Sequence, residues 1–270
     1  MQSPFSADGQ TMKRIHLLLF SLLAVSCSIK EDRSSCPCIL RLDFPELVSG
    51  EEKFLLSVNR GGECIISDLL VPGENGGVCE LEVPKDEIFV NVWSEESFEY
   101  VADGALQIPL GDDCPAVKMF SASLDTRDCE AWTLNVDMSK NYCQLSIVFA
   151  GEGGSLGGLV SGVGGTINGY SADGRPREGD FFHFNTVGEG DQDAFRLMLP
   201  RQTDASLKLD IFSGSGLLKS FALGNYLKAS GYDWNAKDLS DATVFVDFAG
   251  TQIEISVSGW EDTHSFDIVL

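Results

Sequence analysis

The chain has 270 residues and carries 41 Asp and Glu against 19 Lys and Arg, a net charge of −22. Such acidity repels polyanions and so excludes nucleic acid as a partner. Apolar residues make up 43% of the chain, too many for a disordered acidic tail, and the length suits two ordinary domains or one large β domain.

The first 26 residues read as a signal peptide. Lys13 and Arg14 precede an apolar run from Ile15 to Val25, and Met12 reads as the true start. Eleven apolar residues are too few to span the roughly 30 Å hydrocarbon core of a bilayer as a helix. The run ends in Leu22-Leu23-Ala24-Val25-Ser26-Cys27, with an apolar residue four before the cysteine and a small one just before it. That is the pattern of a bacterial lipoprotein cleavage site. It predicts a mature chain that starts at Cys27, carries acyl chains such as palmitate there, and is held to a membrane by lipid alone. Two or three chains suffice for stable anchoring where one does not. No cofactor other than this covalent lipid is expected. Residues 27–35 form a polar tether, in which Lys30, Glu31 and Asp32 read as a signal for export to the outer face of the outer membrane.

Seven further cysteines, Cys36, Cys38, Cys64, Cys79, Cys114, Cys129 and Cys143, lie between 36 and 143, and none follows. In an exported chain they are disulfide candidates, and their odd number leaves at least one unpaired. Cys36 or Cys38 is expected to pair with Cys114, Cys129 or Cys143. Cys64 and Cys79 would close a loop of about fifteen residues, worth roughly 3 kcal/mol in the chain-entropy model. The uneven distribution of cysteine marks a domain boundary near 140.

Residues 36–140 alternate. Leu40, Leu42 and Phe44 share one face, as do Ile88, Val90 and Val92, and Trp132, Leu134, Val136 and Met138. Glycine-rich turns separate these runs, which predicts strands with one buried face in a β-sandwich. Residues 141–270 repeat the theme in Phe195, Leu197 and Leu199, in Leu207, Leu209 and Ile211, and in Val244, Val246 and Phe248. The glycine-rich stretch from 151 to 169 lacks the Lys-Ser or Lys-Thr of a phosphate loop and reads as hairpins and close strand packing. Leu217 to Ala229 is the one expected helix. The final strand, Phe266, Asp267, Ile268, Val269 and Leu270, is a candidate for exchange with a neighbouring subunit.

Nothing marks an enzyme. His183 and His264 sit in neither a His-Glu-x-x-His motif nor a serine nucleophile elbow. Glu189, Asp191 and Asp193 lack the rest of a calcium loop and read as a solvated turn, and no metal site is expected. Arg175, Arg177 and Arg201 read as loop or interface charges. Tyr170, Tyr232, Trp234 and Trp260 could stack on a glycan, but more simply they are corner aromatics with a buried ring and a wet tip.

Several short motifs occur together and in order: Cys27 with Lys30-Glu31-Asp32-Arg33 and Cys36-Pro37-Cys38, Ile108 to Pro115, Asn168-Gly169-Tyr170, Leu199 to Asp204, Ala222-Leu223-Gly224, Ser230 to Trp234, and Gly259-Trp260. This set resembles the FimB-type fimbrial anchor lipoproteins of Bacteroidetes, minor subunits of type V pili. The resemblance implies an all-β chain of two tandem transthyretin-like (immunoglobulin-like) β-sandwich domains, residues 36–140 and 141–270. It also implies a place in the outer membrane at the base of a fimbria, with the first stalk fimbrillin as partner through β-strand complementation. A cell-surface glycan-binding protein or adhesin is the alternative.

Overall fold

The computed structural model describes residues 36–46, 51–150, 159–187, 194–214, 216–247, 252–257 and 264–267. The leader, Cys27, the tether with Lys30, Glu31 and Asp32, and Ile268 to Leu270 lie outside them, as do Glu189, Asp191, Asp193 and Trp260.

Alternation becomes strand pairing from the first element. In β1 (Cys38–Asp43), Cys38, Leu40 and Leu42 are fully buried while Ile39 and Arg41 face out. It runs antiparallel to β4 (Val78–Val83) and parallel to β9 (Ala131–Asn135). The opposed sheet has the order β10 (Ser139–Lys140), β8 (Lys118–Asp125), β5 (Glu87–Ser94), β2 (Phe54–Arg60) and β3 (Glu63–Leu70). Leu40 and Leu42 meet Leu56, Val58, Ile88, Val90 and Val92 in one core.

A second pair of sheets follows. One has the order β14 (Ala194–Pro200), β11 (Tyr142–Ala150), β17 (Ala242–Asp247), β18 (Gln252–Val257) and β19 (His264–Asp267). The other has the order β16 (Gly216–Phe221), β15 (Lys208–Ser213), β12 (Leu159–Tyr170), β7 (Ala105–Gln107) and β6 (Val101–Ala102), with β13 (Pro176–Val187) on the far side of β12. The described chain is therefore an all-β pair of sandwiches.

The two sandwiches are stitched together. β6 and β7 come from positions 101–107, yet Leu106 pairs with Tyr170 of β12. The second core takes in Trp93, Leu106, Ile108, Cys114, Val117 and Met119 beside Leu145, Ile147, Leu209 and Val244. As a result β5 is buried on both faces: Ile88, Val90 and Val92 point into the first core, and Asn91 and Trp93 are fully buried on the other side. One buried face was expected; the second is covered by the neighbouring sandwich.

The helix is shorter than its pattern predicts. Only Leu223–Ala229, here α1, is helical, burying Leu223 and Leu227 one turn apart. Leu217 to Phe221 instead forms β16, because pairing with β15 satisfies its backbone along one side while Leu217 and Leu218 stay exposed.

The turn joining β12 to β13 is clamped by the first sandwich. The Ala172 carbonyl accepts from Asn59 Nδ2 at 3.0 Å and from Asn91 Nδ2 at 2.8 Å, and Ser121 Oγ donates to Asn91 Oδ1 at 2.7 Å. Gly174 closes the turn at φ +78, and a Cβ there would run into the Ser121 side chain. Removing one partner of a buried hydrogen bond costs about 1–3 kcal/mol, because the other group stays desolvated. Asn91→Ala should lower the unfolding free energy by about that amount, measured by urea denaturation, with Ser121→Ala costing less.

Candidate assembly interface

An unpaired sheet edge is a row of free N–H and C=O groups that another chain can extend. Two edges of the second sandwich, β13 and β14, each receive a hydrogen bond from one segment, residues 108–114. Ile108 N donates to Asn168 O (2.8 Å), Gly111 N to Phe182 O on the outer side of β13 (2.8 Å), and Cys114 N to Met198 O on β14 (3.1 Å). That segment does not reach the terminal strands β16 and β6 of one sheet or β19 of the other. β19 pairs with β18 from Ile255 opposite His264 to Gln252 opposite Asp267, and among the described residues nothing pairs with its other side. Phe266 and Asp267 of the exchange candidate lie on this edge.

The covering segment is held by an unusual contact. His183 Nδ1 lies 3.2 Å from Gly111 O and 3.3 Å from Asp113 Oδ1, and that carboxylate oxygen is buried without a hydrogen bond. Burial raises the pKa of Asp113 above the ordinary carboxylate value, while the His183 charge and a hydrogen bond from the Met198 backbone pull it down. Sequence reading found only that His183 belongs to no catalytic motif and gave it no role. Its role as a latch on the Gly-Asp-Asp-Cys turn depends on a contact 72 residues away in the chain.

The arginine and tyrosine motifs turn out to hold loops. Tyr170 is fully buried; its hydroxyl donates to the Asn141 carbonyl and accepts from Arg201 N at 2.9 Å. The Arg201 guanidinium reaches the carbonyls of Trp234, Ala236 (2.8 Å) and Lys237 (3.2 Å), and Nε donates to Asn141 Oδ1 at 3.1 Å. Tyr232 is buried against Trp234, ring centres 4.5 Å apart, and its hydroxyl donates to Ser240 O at 2.5 Å. The Tyr170 and Tyr232 rings are thus buried with their hydroxyls bonded to loop backbone, as corner aromatics. Arg177 likewise donates internally, to Asn168 Oδ1 at 2.7 Å, whereas Arg175 stays exposed beside Asp173.

An exposed aromatic cluster lies elsewhere. Phe184 is 57% exposed, with its ring centre 4.3 Å from that of Phe182 and 6.0 Å from that of Phe212. Phe182 and Phe184 stand opposite Gly164 and Gly162, and a Cβ on either glycine would strike the Phe182 ring. The alternating glycines of β12 therefore make room for aromatics of the partner strand, the close strand packing expected of this stretch. The signal was there as Gly-x-Gly facing Phe-x-Phe, but only the register reveals it. A groove of about 490 Å³ lies between Phe44, Phe54 and Val136 and carries charges of both signs, several of them paired, as Lys237 is to Asp137 at 2.5 Å and Lys140 to Asp241 at 2.6 Å.

All seven described cysteines carry free thiols. Cys114 and Cys143 are fully buried, and burial pushes the Cys143 thiol up to about 12 and raises that of Cys114 as well. Cys64 and Cys79 lie on β3 and β4, in different sheets. Cys36 is exposed, while Cys38 and Cys129 both touch the first core. Among the described residues no group of three metal-ligating side chains occurs.

No family model matches the chain, and no curated protein does. Solved structures do. A candidate polysaccharide-binding protein of Bacteroides thetaiotaomicron aligns at a TM-score of 0.58 and 12% identity, over 85% of this chain and 98% of its own. The fimbrial anchor protein Mfa2 of Porphyromonas gingivalis aligns at 0.57 and 10%, over 83% and 98%. A candidate adhesin of Bacteroides ovatus aligns at 0.54 and 14%, over 88% and 97%. The chain has the fold of Bacteroidetes fimbrial and adhesin-type proteins.

A carboxyl group whose pKa is raised by folding stabilises the fold below its unfolded pKa and loses that contribution as pH rises through the folded value. For Asp113 this makes the ionised form unfavourable at neutral pH. Asp113→Asn keeps the acceptor for Met198 and should raise the thermal midpoint at pH 7. At a pH below the ordinary carboxylate range, near 4, it should have little effect; melting curves across pH check this.

Proposed function

We propose that this chain is a lipid-anchored minor subunit at the base of a Bacteroidetes fimbria. In this reading Cys27 carries the acyl chains, and Lys30, Glu31 and Asp32 direct export to the outer face of the outer membrane. Residues 36–140 and 141–270 form the two sandwich domains, and the first stalk fimbrillin is held by strand complementation. The observation that carries the reading is the terminal strand β19, whose outer side pairs with nothing among the described residues, whereas β13 and β14 are each reached by residues 108–114. Strand addition draws affinity from main-chain hydrogen bonds and specificity from alternate side chains. The fold shared with an anchor protein and the leader and cleavage pattern support it.

Electron microscopy of cells, with fimbrial protein assayed in cells and medium, tests both halves. Cys27→Ala should release fimbriae into the medium with the subunit still attached to them. Truncation before His264 should leave the subunit in the membrane and release fimbriae without it. Fimbriae that stay on Cys27→Ala cells would remove the anchoring role. Fimbriae that stay on the truncated protein would remove β19 as the binding edge.

The cell-surface adhesin reading has one specific observation in its favour, the exposed ring cluster of Phe182, Phe184 and Phe212. Aromatic faces pack on the apolar side of a sugar ring. On that reading Phe184→Ala should abolish glycan-array binding without shifting the melting temperature, and an array with no binding by the wild-type chain would end it.

A further inference from the structure

Cys38 and Cys129 are brought together by a pairing that the sequence does not announce. β1 lies parallel to β9, with Ile39 opposite Ala131, and Ile39 N donates to Glu130 O at 2.9 Å. Cys129 ends the turn just before β9, diagonal to Cys38. With strands about 4.8 Å apart and a rise of about 3.3 Å per residue, regular diagonal neighbours have Cα atoms about 6 Å apart. That matches the usual disulfide span. Both side chains also meet on one side of the sheet. Cys38 points inward with Leu40 and Leu42, and the turn swings Cys129 onto the same core. Burial raises the pKa of the Cys38 thiol, and the nearness of the Cys129 sulfur is the next contribution; Lys85 opposes it.

We propose that Cys38 and Cys129 form a disulfide when the chain meets an oxidising thiol–disulfide oxidoreductase. Cys129 is the more accessible of the two, half-buried where Cys38 is fully buried. Its thiolate attacks the oxidoreductase disulfide, forming a mixed disulfide and expelling one thiolate. Cys38 then loses its proton and attacks the Cys129 sulfur; the intramolecular S–S bond forms and the second thiolate of the oxidoreductase leaves. Two electrons pass to the oxidoreductase, which ends as a dithiol after taking up the two protons released. The Lys85 ammonium, 3.0 Å from Glu130 Oε1, lies close enough to favour the attacking Cys38 thiolate.

The bond would close the chain from 38 to 129, and long loops give the largest effect on the unfolded state. It would also pin β1, the first strand after the tether, to a strand on its flank. That consequence rests on the anchoring reading; the chemistry does not.

The test uses the full chain, purified with its thiols reduced and then equilibrated with oxidised and reduced glutathione. Blocked thiols and a non-reducing digest identify the link. A Cys38–Cys129 peptide pair is expected in the wild type and in Cys36→Ser, and in neither Cys38→Ser nor Cys129→Ser. The melting temperature of wild type and Cys36→Ser should fall on reduction, and that of Cys129→Ser should not. A Cys36–Cys129 link, or both thiols still free under conditions that fully oxidise glutathione-linked controls, would overturn the proposal. Because the assay needs neither export nor fimbriae, its failure is read separately from that of the anchoring experiment.

Discussion

One main-chain carbonyl fixes how the molecule is arranged. Ala172 O, at the tip of the long β12–β13 hairpin, accepts two amide hydrogens from asparagines on neighbouring strands of the other sandwich. Asn59 and Asn91 are fully buried, and the turn carbonyl serves both amide nitrogens, while Asn59 Oδ1 is buried with no partner. The clamp therefore works in both directions. The turn needs the asparagines to satisfy its carbonyl, and the asparagines need the turn to leave water. Around it the hydrophobic surface of Trp93, Leu106 and Tyr170 closes. The Trp93 indole donates to Ser57 Oγ at 3.2 Å, so its polar edge is served as well.

The same arrangement explains where sequence reading succeeded and where it stopped. Strands such as β1, β11 and β14 have one face in a core, and the period of two gives them away. β5 does not behave so: Asn91 in an alternating strand reads as solvent-facing, and only the approach of the hairpin makes it interior. Leu217 to Phe221 failed for the opposite reason, since two adjacent exposed leucines resemble a helical stripe until an edge pairing claims the backbone. The glycines at 162 and 164 are legible only once the register sets them under Phe182. At the interface, the alternation that marks a final strand was visible in the sequence. Which edges are covered was not, because the covering groups of Gly111 and Cys114 are backbone amides.

Covering is selective. Residues 108–114 run from β12 to the outer side of β13 and on to β14, and at each stop one amide removes one point of attachment. Asp113 enters that path at an electrostatic cost, partly offset by His183. β19 lies outside this path, as do the terminal strands β16 and β6.

The strand pairings also set an order of events. β1 is flanked by strands that end at positions 83 and 135, and β7 waits for β12, which ends at position 170. Neither sandwich can be finished from the first hundred residues of the chain. Such non-local pairing slows folding, because loop closure must precede the contacts that reward it. The first sandwich draws every strand from residues 38–140, so its sheets can close before the trailing half of the chain is available, whereas β6 and β7 of the second must wait for β12.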